Sequence, residues 1–292
     1  MKFAPWIVKE LGRNVHRIVF DFSGRGDVAY VLLRSDAHHD NPHSLNDMEL
    51  EHLELAKERN AAIIDNGDAF CAMQGKWDPR SDKSALKPEH QVDDYLDALI
   101  STYSDFLLPY APQLAVMGTG NHETNILKRR ETNLTERLTE RLRTLSGETI
   151  FTGSYTSWVF LNITRRETGK LDHGLKLWRT HGEGGGAPVT RGVIQTNRRA
   201  VYVPDADIVV SGHTHNEWVV PIQRVRVSQY GKVYQDEQTH IQVPSYKDSY
   251  KDGYSYGEWS IERGMPPKPV GAIWLKLFIR KDKMVFEVER AK

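Results

Sequence analysis

The sequence predicts an α/β fold built on a mixed or parallel sheet flanked by helices. Three observations carry this reading. Apolar, β-branched runs alternate with segments of helical period through the first half, strand-like runs dominate the second half, and short blocks of Asp, His and Gly close several of the runs.

The elements follow in chain order. Val15 to Phe22 and Val28 to Arg34 are strand-like, and Ser23-Gly24-Arg25-Gly26-Asp27 between them reads as a hairpin turn. Arg25-Gly26-Asp27 matches an integrin-ligand triplet, but Gly-Asp turn chemistry explains it. Ser44-x-x-Asp47 has the form of a capping box opening a helix, with Leu45, Met48, His52, Leu53 and Ala56 on one face. Ala61 to Asp65 is a short strand ending at Gly67-Asp68. The next helix starts near Pro88, a favourable first-turn residue, and buries Val92, Tyr95, Leu96, Leu99, Tyr103, Phe106 and Leu107. Leu114 to Met117 is a strand that runs into Gly118-Thr119-Gly120-Asn121-His122. Strands joined by helical crossovers lie parallel, and the loops beyond their C-terminal ends converge on one crevice.

Thr124 to Leu145 is helical, with Leu127, Leu134, Leu138, Leu142 and Leu145 inward. Strands then cover Tyr155 to Thr164, Leu175 to Thr180, Ile208 to Val210, Trp218 to Val227 and Gln238 to Val243, with a helix at Val189 to Ala200. Ala272 to Arg280 and Met284 to Glu289 form a hairpin. No linker or long repeat interrupts the chain, so a single domain over residues 1–292 is expected. Its motif-bearing core is 28–220, and the strand-rich part 221–292 completes the second sheet and offers a substrate rim.

Thirty-nine basic residues balance thirty-nine acidic ones. That argues against coating nucleic acid through overall charge while leaving room for a local basic groove. The lone Cys71 cannot pair within the chain and favours a reducing, cytoplasmic setting. No apolar run of about 18 residues is present to span a membrane, and the start has no signal-peptide pattern.

Chemistry concentrates in five ordered blocks: Asp36-Ala37-His38, Gly67-Asp68, Gly120-Asn121-His122-Glu123, His181-Gly182 and Gly212-His213-Thr214-His215. Four follow a predicted strand directly. Residues two apart on an extended strand end point the same way, which would aim Asp36 with His38, and His213 with His215, into one site. A mixed carboxylate, amide and imidazole set suits Mn first, then Fe or Zn, over Ca or Mg. A lone buried histidine is ordinarily a packing residue. His16, His43, His52, His90, His173 and His240 are read that way, and His39 should point away from its neighbour His38.

As a set, these blocks resemble the calcineurin-like metallophosphoesterase superfamily, whose signature runs D-x-H, G-D, G-N-H-[DE], H, G-H-x-H. The resemblance implies a four-layered α/β/β/α sandwich of two mixed sheets, with a dinuclear site at the strand C-terminal ends. It also implies that Asp36, His38 and His215 hold one metal and Asn121, His181 and His213 a second, with Asp68 bridging. His122 would protonate the leaving oxygen rather than bind metal. Two cations about 4 Å apart clamp the oxygens of an in-line displacement and lower the pKa of a bridging water, whose hydroxide attacks phosphorus.

The substrate is less sharply written. Gly67-Asp68-Ala69-Phe70-Cys71 lacks the Asp-Arg-Gly tail of the Ser/Thr protein phosphatase branch and is similar to the nuclease and small phosphodiesterase branches. Glu123 stands where the nuclease branch usually has Asp. The helix after the third block carries Lys128, Arg129, Arg130, Arg137, Arg141 and Arg143, and could track a phosphate backbone or form a solvated, ion-paired face. A loop with Tyr246, Tyr250, Tyr254, Tyr256 and Trp259 beside Lys247 and Lys251 could stack bases or serve packing. Arg129, Arg130, Tyr250 and Tyr254 are the candidate substrate contacts. The expected partner is a phosphoester, with DNA, RNA or nucleotides favoured, then a phosphomonoester of a metabolite or phosphoprotein. A non-catalytic scaffold is the third reading. The run from Gly182 to Gly186 lacks the following Lys-Ser/Thr of a P-loop and reads as a loop leaving His181.

Overall fold

The structure, a computed structural model, describes residues 2–74, 81, 86–165, 174–185, 187, 189–250 and 264–291. Two sheets face each other. The six-stranded sheet contains β3 (Ala29–Arg34), β4 (Ala62–Asp65), β5 (Leu114–Met117) and β6 (Phe151–Thr152) in parallel, extended past β3 by β12 (Ala272–Arg280) and β13 (Lys283–Ala291). The seven-stranded sheet runs in the order β1 (Trp6–Gly12), β2 (Val15–Phe22), β7 (Thr156–Arg165), β8 (Leu175–Thr180), β9 (Ile208–Ser211), β11 (Val233–Gln242) and β10 (Trp218–Val227). The stretch 221–292 is therefore shared between both sheets, and β1 and β2, ahead of residue 28, belong to the larger one.

Alternation along the strands sets the layers. Val31, Leu33, Ala62 and Ile64 pack against Ile18, Phe20, Val159, Leu161, Leu177 and Ile208 between the sheets. On the opposite face of the smaller sheet, Leu32 and Ile63 meet α1 (Asn46–Glu58), α2 (Tyr95–Leu107) and α4 (Leu134–Ser146). α5 (Ile194–Tyr202) leads into Val203, which packs with Trp178, Ala206 and Val209 on the outer face of the larger sheet. This is the expected α/β/β/α order. β3, β4 and β5 are buried on both faces, as parallel strands between helices and a second sheet must be.

Several local expectations give way to competing contacts. The segment 23–27 is not a hairpin turn: β2 and β3 lie in different sheets. The Asp27 carboxylate accepts from Ser23 N, Ser23 Oγ and Gly24 N at 2.6, 2.7 and 3.3 Å, closing a turn that carries the chain across. Ser44 does not cap α1, because its hydroxyl donates to the Ala37 carbonyl at 2.7 Å. Pro88 opens only a short 3₁₀ turn, Pro88–His90, and Val92 is half exposed before α2 begins. The helix expected over Thr124 to Leu145 divides into α3 (Asn121–Arg130) and α4. Left-handed Glu131 ends the first, and the Asn133 side chain caps the second by accepting from Glu136 N, which turns Leu127 and Leu145 to solvent. α5 starts late, since Arg191 and Gly192 adopt φ of 47° and 79°. Tyr246 is fully buried, with its hydroxyl 2.9 Å from His52 Nδ1, so packing and not base stacking is its role.

Candidate metal centre

Five strand ends deliver the five blocks to one place. Asp36 and His38 follow β3, Asp68 follows β4, Asn121 and His122 open α3 after β5, His181 follows β8, and His213 and His215 follow β9. The smaller sheet supplies the first three blocks and the larger sheet the other two. Extended strand-end geometry is not what aims the side chains. Asp36, His38, Asp68, His213 and His215 all sit in the left-handed region, with φ of 53°, 45°, 54°, 69° and 52°. Such conformations cost on the order of 1–3 kcal/mol each and persist where surrounding structure enforces them.

The side chains form two overlapping groups. His215 Nε2 lies 3.3 Å from Asp36 Oδ1 and 3.4 Å from His38 Nε2. His181 Nε2 lies 3.1 Å from Asp68 Oδ2 and 3.0 Å from Asn121 Oδ1, which in turn is 2.7 Å from His213 Nδ1. Asp36 and His181 are fully buried, and His38 and Asp68 nearly so; Asn121, His122, His213 and His215 line the partly open side.

Whether these residues suit a cation can be read from one atom. Asp36 Oδ1 is buried without a hydrogen-bond partner, although Nε2 atoms of His215, His38 and His181 stand 3.3, 3.8 and 4.0 Å away. An orphaned carboxylate oxygen ringed by imidazole nitrogens is the surrounding that a divalent cation satisfies. The glycines leave it room: a Cβ on Gly120 would meet Asp68 Oδ1 at 2.1 Å, and one on Gly212 would meet Ser35 Oγ at 1.9 Å.

Electrostatics point the same way. Burial alone would raise the Asp36 and Asp68 carboxyls. The imidazoles of His215 and His181 at Asp36, and of His181 and His122 at Asp68, outweigh it and hold both below the usual range. Burial would lower His181, but Asp68 and Asp36 push it up to about 9. Burial lowers His38 and His213. Burial and the Asp68 charge lift Glu123 to about 8.

A supporting shell that the sequence reading missed sits behind the candidate ligands. His181 Nδ1 can only donate to the Asn66 carbonyl, 3.0 Å away, so its Nε2 faces Asp68. Asn66 is held by Arg179, fully buried, whose Nε donates to Asn66 Oδ1 at 3.0 Å. Glu123 accepts from Asp68 N, Phe70 N and Gly120 N, fixing the second block against the third. Arg34 and Asp65 are register partners at the ends of β3 and β4 and pair at 2.7 Å. An Arg and an Asp closing two adjacent apolar strands was the signal available for that pair.

Other expectations fall as follows. His39 points away, stacked on Tyr103 with ring centroids 4.3 Å apart. Phe70 of the second block is core, packed on Tyr103. Of the basic residues beyond Asn121, Arg137 pairs with Asp97, Arg141 with Asp105 and Arg143 with Glu136 and Glu140, the ion-paired face. Arg129 and Arg130 are exposed at the far end of α3, and Arg130 Nη2 reaches the Gln74 carbonyl at 3.4 Å. Tyr250 donates its hydroxyl to the Met265 carbonyl. Tyr254, Tyr256, Trp259, Lys251 and His173 lie outside the described residues. No helix among the described residues is long and apolar enough to cross a membrane.

The family model for calcineurin-like phosphoesterases matches residues 30–217. The chain belongs to this family. Membership implies hydrolysis of phosphoester bonds with divalent metals, and the clustered Asp and His residues supply candidate ligands. No curated protein matches the chain. Among solved structures it is similar to Vacuolar Protein Sorting 29 from Cryptosporidium parvum, at 16% identity over 90% of this chain and 97% of that one, with a TM-score of 0.35. A predicted phosphoesterase from Streptococcus pneumoniae TIGR4 matches at 10% identity, 90% of each chain and a TM-score of 0.35. GAP50, the anchor in the inner membrane complex of Plasmodium, matches at 13% identity over 91% of this chain and 85% of that one, with a TM-score of 0.40.

Proposed function

We propose that this chain hydrolyses phosphodiesters of DNA, RNA or nucleotides with two divalent cations, Mn favoured. Asp36, His38 and His215 hold one cation, Asn121, His181 and His213 the other, and Asp68 lies between them. When bound, such a pair supplies a nucleophile from water near neutral pH and positive charge against the phosphoryl oxygens. The chain's own residues do the rest.

The observation that carries the reading is the placement of His122. Its Nδ1 donates to the Cys71 carbonyl at 2.5 Å, since a carbonyl can only accept. Its backbone N donates to Asp68 Oδ1 at 2.9 Å, and its Nε2 stands 3.7 Å from Asp68 Oδ2 on the partly open side. The ring is thus locked with Nε2 toward the place where a leaving oxygen would depart, and a proton held there serves as the general acid.

The choice of diester rests on charge. A monoester dianion needs more cationic grip than a diester. Arg34 and Arg179, which stand close in sequence to Asp36 and His181, are fully buried and committed to Glu49, Asp65 and Asn66. Lys247, 3.8 Å from Cys71 Sγ, brings a positive charge to the His38 side.

The test is to measure metal in the purified protein and compare hydrolysis of a diester, a monoester and labelled single- and double-stranded DNA with added Mn²⁺. Diester and DNA cleavage is expected. His122→Ala should keep its metal and lose about 10²–10⁴ in rate, whereas Asp68→Ala should lose metal. Monoester turnover with inert diester and DNA would refute the substrate class, and full activity of His122→Ala on an unactivated substrate would refute the acid.

A further inference from the structure

Beside the loop that carries His213 and His215, two cations stand together with no carboxylate paired to them among the described residues. Lys268 Nζ donates to Asn216 Oδ1 at 2.9 Å. The same amide donates through Nδ2 to the Arg191 carbonyl at 3.2 Å and to Thr214 Oγ1 at 3.4 Å. Asn216 is 5% exposed and follows His215 directly, so one buried side chain ties both cationic residues to the ligand loop. Trp218 Nε1 donates to that carbonyl as well, at 3.0 Å, pinning Arg191 from a second side.

Several other cations are paired with carboxylates. Arg137 faces Asp97, Arg199 faces Glu183, Arg224 faces Asp236 and Lys276 faces Glu287. Among the described residues Lys268 and Arg191 have no such partner, and Arg191 is exposed. They also repel one another: burial and the Arg191 charge together depress the Lys268 ammonium below its ordinary range. Holding like charges together costs free energy, and an anion shared between them recovers it. A guanidinium and an ammonium together match the oxygens of a phosphate, the first as a planar fork and the second as a point charge.

We infer that Lys268 and Arg191 form a second phosphate subsite, which takes the phosphate next to the scissile one on a nucleic-acid strand. This rests on the phosphodiesterase reading above and names its substrate class more closely. Arg191 and Lys268 act on the strand beyond the reacting group, so they govern preference between substrates and not the chemical step. The alternative is that Lys268 merely fastens its own segment to Asn216. Arg191 separates the two, because its guanidinium makes no hydrogen bond among the described contacts and its loss removes charge alone.

The test uses the full-length protein carrying Arg191→Gln, Lys268→Met or Lys268→Arg. First, binding of a fluorescein-labelled oligothymidylate is followed by anisotropy across a salt series, in the His122→Ala background so that the strand survives. Each neutralising variant should weaken binding and make the log–log salt slope shallower by about 0.7, the single-strand value per lost contact, while Lys268→Arg keeps the slope. Second, with His122 intact, the preference in kcat/KM for the oligonucleotide over the p-nitrophenyl ester of thymidine 5′-monophosphate should drop about tenfold or more. Unchanged slope and preference in Arg191→Gln would overturn the subsite. So would a fall shared equally by both substrates, the mark of a structural role. Strand binding that weakens in the variants without cleavage of any diester would leave the subsite standing and sink the catalytic reading instead.

Discussion

Arg34→Met tests the charge network beneath the centre. The Arg34 side chain is fully buried between two carboxylates, with Nη1 2.6 Å from Glu49 Oε1 and Nε 2.7 Å from Asp65 Oδ2, and it donates to the Tyr103 hydroxyl at 2.9 Å. Methionine fills much of the same volume, so the cavity left is small and the loss is electrostatic. Glu49 and Asp65 are then buried without their cation, and breaking a buried pair costs about 3–5 kcal/mol. At roughly 2–4 °C per kcal/mol for a chain of this order, Tm should fall by about 10 °C at pH 8. The pH dependence is diagnostic. Burial opposes but Arg34 lowers Glu49, and burial holds Asp65 up despite Arg34. Without the cation both carboxyls rise above their unfolded values of about 4. The folded state then keeps protons that the unfolded chain has released, so stability falls as pH climbs through that window. Thermal denaturation of both proteins at pH 5 and pH 8 should show a deficit that grows with pH. A Tm within about 3 °C of the parent at pH 8, or a deficit equal at both pH values, would refute the network's role.

Two further outcomes are expected. Gly120→Ala, at an extended backbone position that any residue can adopt, would drive its methyl to 2.1 Å from Asp68 Oδ1 and 2.4 Å from Asp68 N. Metal affinity should drop about 10–100-fold, and parent-like metal content after gel filtration would contradict this. His52 and His240 are buried and lowered to about 4, burial being the main cause. Between pH 6.5 and 4 the unfolded chain takes up protons that these rings refuse, so stability drops as the solution is acidified through that range. The urea midpoint should fall from pH 7 to pH 5, and His52→Gln with His240→Gln should flatten that slope; an unaltered slope assigns the loss elsewhere.

Much of the centre was legible because its residues sit at strand ends, where apolar runs stop abruptly at Asp, His and Gly. The layers were legible for the same reason, since alternation and helical period follow burial. What escaped depended on contacts distant in sequence. Nothing near Asp27 announces that β2 and β3 part into different sheets; that is decided by β7 pairing with β2 and β12 with β3. Leu127 continues a helical stripe by spacing, yet the left-handed Glu131 ends its helix and exposes it. Arg179 reads as an ordinary charge in a strand. Its burial depends on Gly118 and Gly153, where a Cβ would come within 2.3 and 2.5 Å of the guanidinium. Lys268 and Asn216 are separated by 52 residues, a pairing that no local pattern encodes.

The candidate ligands come from both sheets, so a cation held by them would be a cross-link as well as a reagent. The protein's own hydrogen bonds already stitch the seam: His213 N of the larger sheet donates to Asp36 Oδ2 of the smaller at 2.9 Å, and Arg179 Nε donates to Asn66 Oδ1 at 3.0 Å. A cation joining Asp68 to His181 and His213 would rivet the same seam, in the way a disulfide ties distant segments. Cations that bind only the closed pair of sheets add to stability in proportion to the logarithm of their concentration over Kd, about 2.7 kcal/mol at a hundredfold excess. A motion that slid one sheet along the other would part the candidate ligands of the two sheets. Loss of activity would therefore be a sign that the two halves have begun to separate.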